Sequence, residues 1–265
     1  LDQPLYVQLG KYIAGIVQLD LGYSFRQSAP VIDLIAERLP ATLLLTLTAF
    51  VISLVLGIAL GVAAAARVGK PQDSLLTTLA LLFYATPLYW AALMAVLVFS
   101  VWLGWLPGFG YETVGADYTG LARVIDILKH LILPALTLGL FFMAVYMRMT
   151  RASMLEVSTA DFVKTAKAKG LSGRVIRRRH ILRNAILPVV TLAGLQAGQL
   201  VGGAVLTETV FAWPGIGRLM FESLAARDYN TILGVFLVSA AMVILFNIVT
   251  DIVYRLVDPR IGARA

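Results

Sequence analysis

Apolar residues gather in five blocks along this chain, each near or above the ~20 residues that an α-helix needs to cross a bilayer. The blocks lie at about 41–66, 75–103, 131–149, 189–207 and 232–254. Pro87 interrupts the second and predicts a kink there. The fourth carries Gly194, Gly198 and Gly202 at four-residue steps, and Gly57 and Gly61 repeat that step in the first. Small residues so spaced predict close helix–helix packing. Ahead of the blocks, Pro4 opens a predicted helix with Leu5, Leu9, Tyr12, Ile13 and Ile16 on one face, ended by a turn at Asp20, Gly22 and Ser24. A second short helix is predicted from Ser28 and Pro30 to about Arg38 and Pro40. Both carry charges, so both are expected at the membrane interface.

Between the third and fourth blocks lies the most basic stretch, 161–188, which reads as two short helices. Ser158 or Thr159 is placed to cap the first, and Gly170 to close it in a left-handed conformation. Ser172 is placed to cap the second, whose stripe Leu171, Val175, Leu182 and Ile186 has helical spacing. Pro188 is expected to mark a kink or the start of the next span.

Composition agrees with the pattern. Of 265 residues, 59% are hydrophobic and 14% charged, whereas soluble domains carry about a quarter charged residues. The absence of cysteine excludes disulfides, thiol catalysis and thiolate metal sites. The net charge of +7 is sorted by side rather than spread as on a nucleic-acid-binding face. One side holds Arg67, Lys70, the ten basic residues from Arg148 to Arg183, Arg255, Arg260 and Arg264, against Asp73, Glu156, Asp161, Asp251 and Asp258. The other side has more acids than bases. The basic side is therefore expected to be cytoplasmic.

No nucleotide site is encoded. Around Gly69-Lys70-Pro71, Ala64 replaces the first glycine of a phosphate loop and Pro71 replaces the Mg²⁺-binding hydroxyl. His130 and His180 are expected on opposite sides and make no metal or catalytic pair. Polar residues inside spans are costly unless they face protein or water. Gln196 and Gln199 sit three apart on the fourth span, Asn247 and Asp251 four apart on the fifth, and Tyr84, Thr86, Tyr89 and Trp90 surround Pro87. Such residues either bond helix to helix or line a translocation path; Tyr84, Pro87, Gln196, Gln199 and Asn247 are the path candidates. Glu208 and Asp251 fall near span ends, where interfacial solvation accounts for both.

Two segments carry a resemblance. The run Thr165-Ala166-Lys167-Ala168-Lys169-Gly170-Leu171, with Arg179-His180, Arg183-Asn184-Ala185 and Leu187-Pro188, resembles the cytoplasmic loop of ABC-importer permeases, and within them the dipeptide/oligopeptide/nickel branch. Lys164 and Thr165 stand where the wider family has Glu and the first Ala, and the gap from Gly170 to Pro188 is longer than in sugar permeases, as in the peptide branch. On the opposite side, Phe211-Ala212-Trp213-Pro214-Gly215-Ile216-Gly217-Arg218-Leu219 is similar to a Phe-x-Trp-Pro-Gly-x-Gly-Arg-Leu run of that branch. Here the aromatics are expected at the interface, with a tight turn and then a helix. Asp258-Pro259-Arg260-Ile261 resembles the branch's C-terminus, and residues 1–8 the segment after its first helix.

The expected fold is therefore an all-α polytopic membrane bundle with five transmembrane helices here, six in a complete protein, and short cytoplasmic coupling helices. It divides into an external interfacial segment 1–40, a permease domain 41–257 with coupling loop 150–188 and external loop 208–230, and a cytoplasmic tail 258–265. The resemblance implies a non-catalytic permease subunit of a peptide importer in the bacterial inner membrane. It has no cofactor of its own, since ATP and Mg²⁺ belong to partner subunits. The implied partners are a second permease, two cytoplasmic ATPases and an external binding protein, besides membrane lipid; no nucleic acid is expected. Asp161, Ala166, Lys167, Gly170, Leu171, Arg179, Leu187 and Pro188 would couple to the ATPases. Phe211, Trp213, Pro214, Gly215, Gly217 and Arg218 would form an external gate or meet the binding protein. Importers of nickel chelates or glutathione-type solutes share the pattern. A channel or ion-coupled transporter fits less well, lacking a dense set of intramembrane carboxylates, and a scaffold has no need of glutamines on a glycine-lined helix.

Overall fold

The computed structural model describes the chain from residue 4 to residue 257, apart from the side chains at 5, 9, 11, 12, 197–203, 251 and 253–257. Helix α1 (Leu5–Val17) starts after Pro4, as expected, and Gly22 turns the chain with a positive φ. A two-residue hairpin follows, β1 (Tyr23–Ser24) antiparallel to β2 (Ala29–Pro30), which apolar periodicity is too short to register. Next come α2 (Val31–Ala65), α3 (Pro71–Ala85), α4 (Leu88–Ala95, continued by a π-wound turn Val96–Trp102) and α5 (Gly120–Ser158). The basic stretch forms α6 (Asp161–Ala168) and α7 (Gly173–Val175, continued by a π-wound turn Ile176–Ile181), then runs without a break into α8 (Leu182–Val210). Helices α9 (Ile216–Ala226) and α10 (Tyr229–Val257) complete the bundle.

Among the described residues, α2, α5 and the Tyr229–Thr250 part of α10 are long and apolar enough to cross a membrane. Helices α3 and α4 qualify as one pair bent by 101°. That break is far sharper than a kink. Thr86, preceding Pro87, is forced extended at ψ 128°, and Pro87 has no N–H to carry the helix on.

Three expected helix ends move. The short helix expected to finish at Pro40 is the first part of α2, and Pro188 lies within α8. Proline is tolerated inside long membrane helices because neighbours re-satisfy the disturbed backbone. Ser158 and Thr159 do not cap α6; their hydroxyls donate back to Leu155 O and Glu156 O of α5, leaving Ala160 at the cap position. Ser172 does occupy the cap position of α7, though its side chain makes no cap bond.

Helix α5 is the axis: 72% of its apolar window is buried, against 28% for α2 and 17% for α10, whose outer faces are left for lipid or a partner. The α2–α5 seam is built on glycine. A Cβ at Gly57 would lie 2.5 Å from Tyr146 Cβ, and one at Gly61 2.7 Å from Met147 O. From the other side, Gly139 lets α5 approach Ile52 and Ala49 of α2. Gly57→Leu is therefore expected to cost about 1–3 kcal/mol through overpacking, read as a lower unfolding temperature in detergent. Gly194 meets Thr250 of α10 in the same way, so that a Cβ would overlap the threonine methyl.

Candidate functional site

At the basic end, α6 is amphipathic. Val163 and Ala166 are buried against Met154, Ile176, Ile181 and Ala185, with Val62 and Ala65 of α2 completing the nest. The helix closes on Gly170 at φ +75°: Gly170 N–H donates to Lys167 O at 2.9 Å and Leu171 N–H to Ala166 O at 3.3 Å. These are the two bonds of a Schellman motif, as the glycine predicted. A Cβ at Gly170 would touch nothing, so the left-handed backbone alone demands glycine there.

What remains outward is a partly apolar, strongly basic surface. Phe162, Leu171 and Val175 are exposed together with Lys164, Lys167, Lys169 and Arg174. Arg174, Val175, Arg178 and Arg179 line a shallow cleft of about 290 Å³. Asp161 is fully outward and pairs with Lys164 at 2.8 Å. Of the coupling candidates, Ala166 anchors the helix rather than facing a partner. Leu187 is half-buried and Pro188 exposed on α8.

The path candidates are scattered over three helices. Tyr84, at the end of α3, stacks on Phe141 of α5 with centroids 5.4 Å apart, and Pro87 is exposed at the break. On α8, the Gln196 side-chain oxygen is buried without a hydrogen-bond partner among the described residues. Asn247 is exposed on α10. The side chains of Gln199 and Asp251, and the tail 258–265, lie outside the described residues. Tyr84 thus has its ring partner on α5 rather than on the glutamine helix. Among the described residues, no group of three His, Asp or Glu could hold a metal ion.

The opposite end overturns two expectations. Phe211 and Trp213 are not interface aromatics but core, 2% and 0% exposed. Trp213 packs edge-on against Tyr111 at 4.8 Å, and its indole N–H donates to Ala41 O at 2.8 Å. Nor is Glu208 solvated: it is fully buried where α8, α9 and α2 meet. Its carboxylate accepts from the Thr42 hydroxyl at 2.6 Å, from Arg218 N–H at 3.1 Å, and from the Gly217 backbone. The Thr42 oxygen in turn accepts Ile216 N–H at 2.9 Å. A Cβ on Gly215 would overlap the carboxylate, and one on Gly217 would come within 2.9 Å of it. The glycines are the cradle, and the start of α9 supplies the free N–H groups. A carboxylate seven and nine residues before two glycines at a helix start was the available sequence signal.

Around this knot, Arg218 donates to Ala212 O at 2.7 Å and to Glu222 at 2.8 Å, while Arg38 bonds Glu222 at 3.0 Å. Beyond α9, Asp228 is buried and bonded by the Ser24 and Thr231 hydroxyls. Burial opposes its charge, yet those bonds and the Thr231 N–H hold its carboxyl below the usual range. The far loop of the chain is thereby tied to the N-terminal hairpin.

Residues 57–263 match the family described as binding-protein-dependent transport system inner membrane component. The chain belongs to that family. This permease is thus the inner-membrane part of a binding-protein-dependent transporter, not an enzyme, and ATP hydrolysis belongs to other subunits. It is 40% identical to a dipeptide transport system permease protein of Alkalihalophilus pseudofirmus over 98% of this chain and 83% of that protein. It is 40% identical to an oligopeptide transport system permease protein of Bacillus subtilis (98% and 82%) and 41% identical to a di/tripeptide transport system permease protein of Pseudomonas aeruginosa (98% and 82%). Its fold is that of a chain of the inward-facing methionine ABC transporter MetNI, with TM-score 0.68 at 18% identity, covering 85% of this permease and 96% of that chain.

Proposed function

We propose that this permease forms half of the translocation path of a peptide importer, paired with a second permease, driven by two ATPases and fed by an external binding protein. The peptide class is supported by relatives that are named for dipeptide, oligopeptide and di/tripeptide transport and match along 98% of the chain. In this reading α8 is the fourth of five spans, its residues 189–207 joining α2, the bent α3–α4 pair, α5 and α10. The basic end faces the cytoplasm, by the excess of Lys and Arg there.

The observation that carries the coupling role is the exposed apolar and basic face of α6 and α7. Exposed hydrophobics rimmed by charge mark a docking surface, and here they stand on a helix keyed by Val163 and Ala166 into the ends of α2, α5 and α8. A push on α6 is therefore passed to three spans at once, as a two-state rocking of the bundle requires. Affinity pull-down of this permease from native membranes is expected to bring down an ATP-hydrolysing pair, and recovery of the permease with no ATPase would refute the assignment.

The path is proposed to pass Gln196, Gln199, Asn247 and the break at Tyr84 and Pro87. Cysteines placed at Gln196, Gln199 and Tyr84 should react with small polar thiol reagents, and their protection should differ between resting and ATP-trapped complexes. Inertness of all three in both states would make these residues helix-to-helix contacts.

A further inference from the structure

Two arginines one turn apart on α5 meet different fates. Arg151 forks onto Asp73 of α3, Nε at 2.7 Å from Oδ1 and a terminal nitrogen at 2.8 Å from Oδ2. That pair is internally neutral and staples α3 to α5. Arg148 has no carboxylate within ion-pair distance among the described residues. Its guanidinium carbon lies 5.4 Å from the centroid of the Tyr84 ring, which is itself stacked on Phe141 at an interplanar angle of 24°.

The direction of Arg148 matters more than its exposure. Helices α3 and α5 run past one another so that Asp73 meets Arg151 and Tyr84 meets Phe141. Tyr84 is therefore some ten residues, about 15 Å at 1.5 Å per residue, further from the basic end than the Asp73 pair. Arg148 reaches toward Tyr84, away from the basic end and into the apolar length of the bundle. An arginine snorkelling to lipid phosphates would reach the other way. An unpaired guanidinium held at that depth is costly unless it borders water or a polar solute.

The face on which it lies is the one α5 leaves open. Tyr146, Met147 and Thr150 are buried, Gly57 and Gly61 of α2 lying against all three, whereas Phe141 and Val145 are half-buried and Arg148 and Ala152 exposed. A guanidinium over a phenol ring is held by cation–π attraction, which consumes none of its N–H donors and leaves them for bonds to a carboxylate.

We propose that Arg148, seated on Tyr84, is a specificity-determining residue of the translocation path that takes the free terminal carboxylate of a peptide in passage. The inference rests on the peptide-import reading above and adds one residue with a defined chemical preference to it. The ring keeps the cation in place without neutralising it, as a solute that must leave again requires.

The chain's lack of cysteine makes the test direct. In the assembled complex in lipid nanodiscs, Val145→Cys places a thiol one helical turn from Arg148 on the same open stripe. Its reaction rates are compared for an anionic (sulfonatoethyl) and a cationic (trimethylammonioethyl) methanethiosulfonate. The anionic reagent is expected to react faster. Adding Arg148→Gln should lower the anionic-to-cationic ratio roughly tenfold, the effect of one unit charge several ångströms away in a partly hydrated site. Arg148→Lys should keep most of the preference, which separates lost charge from a disturbed fold. A tripeptide with a free C-terminus should slow the anionic reagent, and its C-terminal amide should not. A ratio unmoved by Arg148→Gln overturns the proposal, as does equal protection by the amide. If the thiol introduced by Val145→Cys is inert while the one introduced by Gln196→Cys reacts, Arg148 lies off the path and the path reading stands. If that thiol is inert and so are those introduced at Gln196, Gln199 and Tyr84, the path reading fails and takes this inference with it.

Discussion

Gly170→Val is expected to leave the permease folded in the membrane and assembled with its ATPases, yet to cut solute uptake per ATP hydrolysed about tenfold, the factor that ~1.4 kcal/mol commands in an equilibrium. Nothing surrounds the position, so there is no clash to disturb packing elsewhere. The residue sits at φ +75°, however, where a β-branched side chain costs roughly 1–3 kcal/mol. The cheapest escape is to open the two cap bonds to Lys167 O and Ala166 O, which frays the end of the helix that transmits the push. Gly170→Asn, which tolerates the left-handed region, should retain most of the coupling. Ala166→Asp should uncouple by a different route, because it puts an unpaired charge at a 4% exposed position beside Val163 and Ile176 and so lifts α6 off its seat. The measurement is uptake and ATPase rate on the same proteoliposomes. Uptake per ATP equal to wild type in both Gly170→Val and Ala166→Asp would remove α6 from the mechanism.

The second large effect is expected at Glu208. Glu208→Ala strips the acceptor from the Thr42 hydroxyl and from the Gly217 and Arg218 N–H groups, in a site with no exposure to water. Each buried donor left unpaired costs about 1–3 kcal/mol. The start of α9 should therefore come away from α2, with a clear drop in unfolding temperature and loss of ATPase stimulation by the loaded binding protein. Glu208→Gln is expected to be intermediate, since its amide oxygen still accepts while its NH₂ group faces backbone donors. Gly215→Ala should mimic Glu208→Ala, because the added methyl overlaps the carboxylate. An unfolding temperature unchanged in Glu208→Ala would show that the knot does not hold α9. Trp213→Ala belongs to the same group: burial of the whole ring predicts loss of about 3–5 kcal/mol, so the residue is a poor probe of external contacts. Arg218→Glu is the better one, since the arginine is half-buried and lines, with Arg38 and Glu222, a cleft of about 430 Å³.

Much of the basic end was legible in the sequence because its determinants are local. A glycine after an amphipathic turn predicts a left-handed cap whatever surrounds it, and Gly170 makes one. The four-residue step of Gly57 and Gly61 foretold close packing, as did Gly194 on its own, since only the missing Cβ is needed for two backbones to approach; Gly198 and Gly202 lie outside the described residues. An interruption at Pro87 was visible because a missing N–H is a property of the chain itself, but the sequence predicted a kink where the chain turns by 101°. Where helices begin and end was not legible at Pro40 and Pro188. In a long membrane helix the proline defect is compensated by neighbours, and the chain does not record which neighbours those are. The fate of charged groups was least legible. By sequence position Glu208 is a residue at a span end and Arg148 one more basic residue on the crowded side. Tertiary contacts alone place the first in a cradle formed by Thr42 and the start of α9, 166 positions separating it from Thr42, and the second over Tyr84 rather than opposite an acid. The free energy of a charge depends on what its surroundings offer in place of water, and those surroundings are assembled only when distant helices meet.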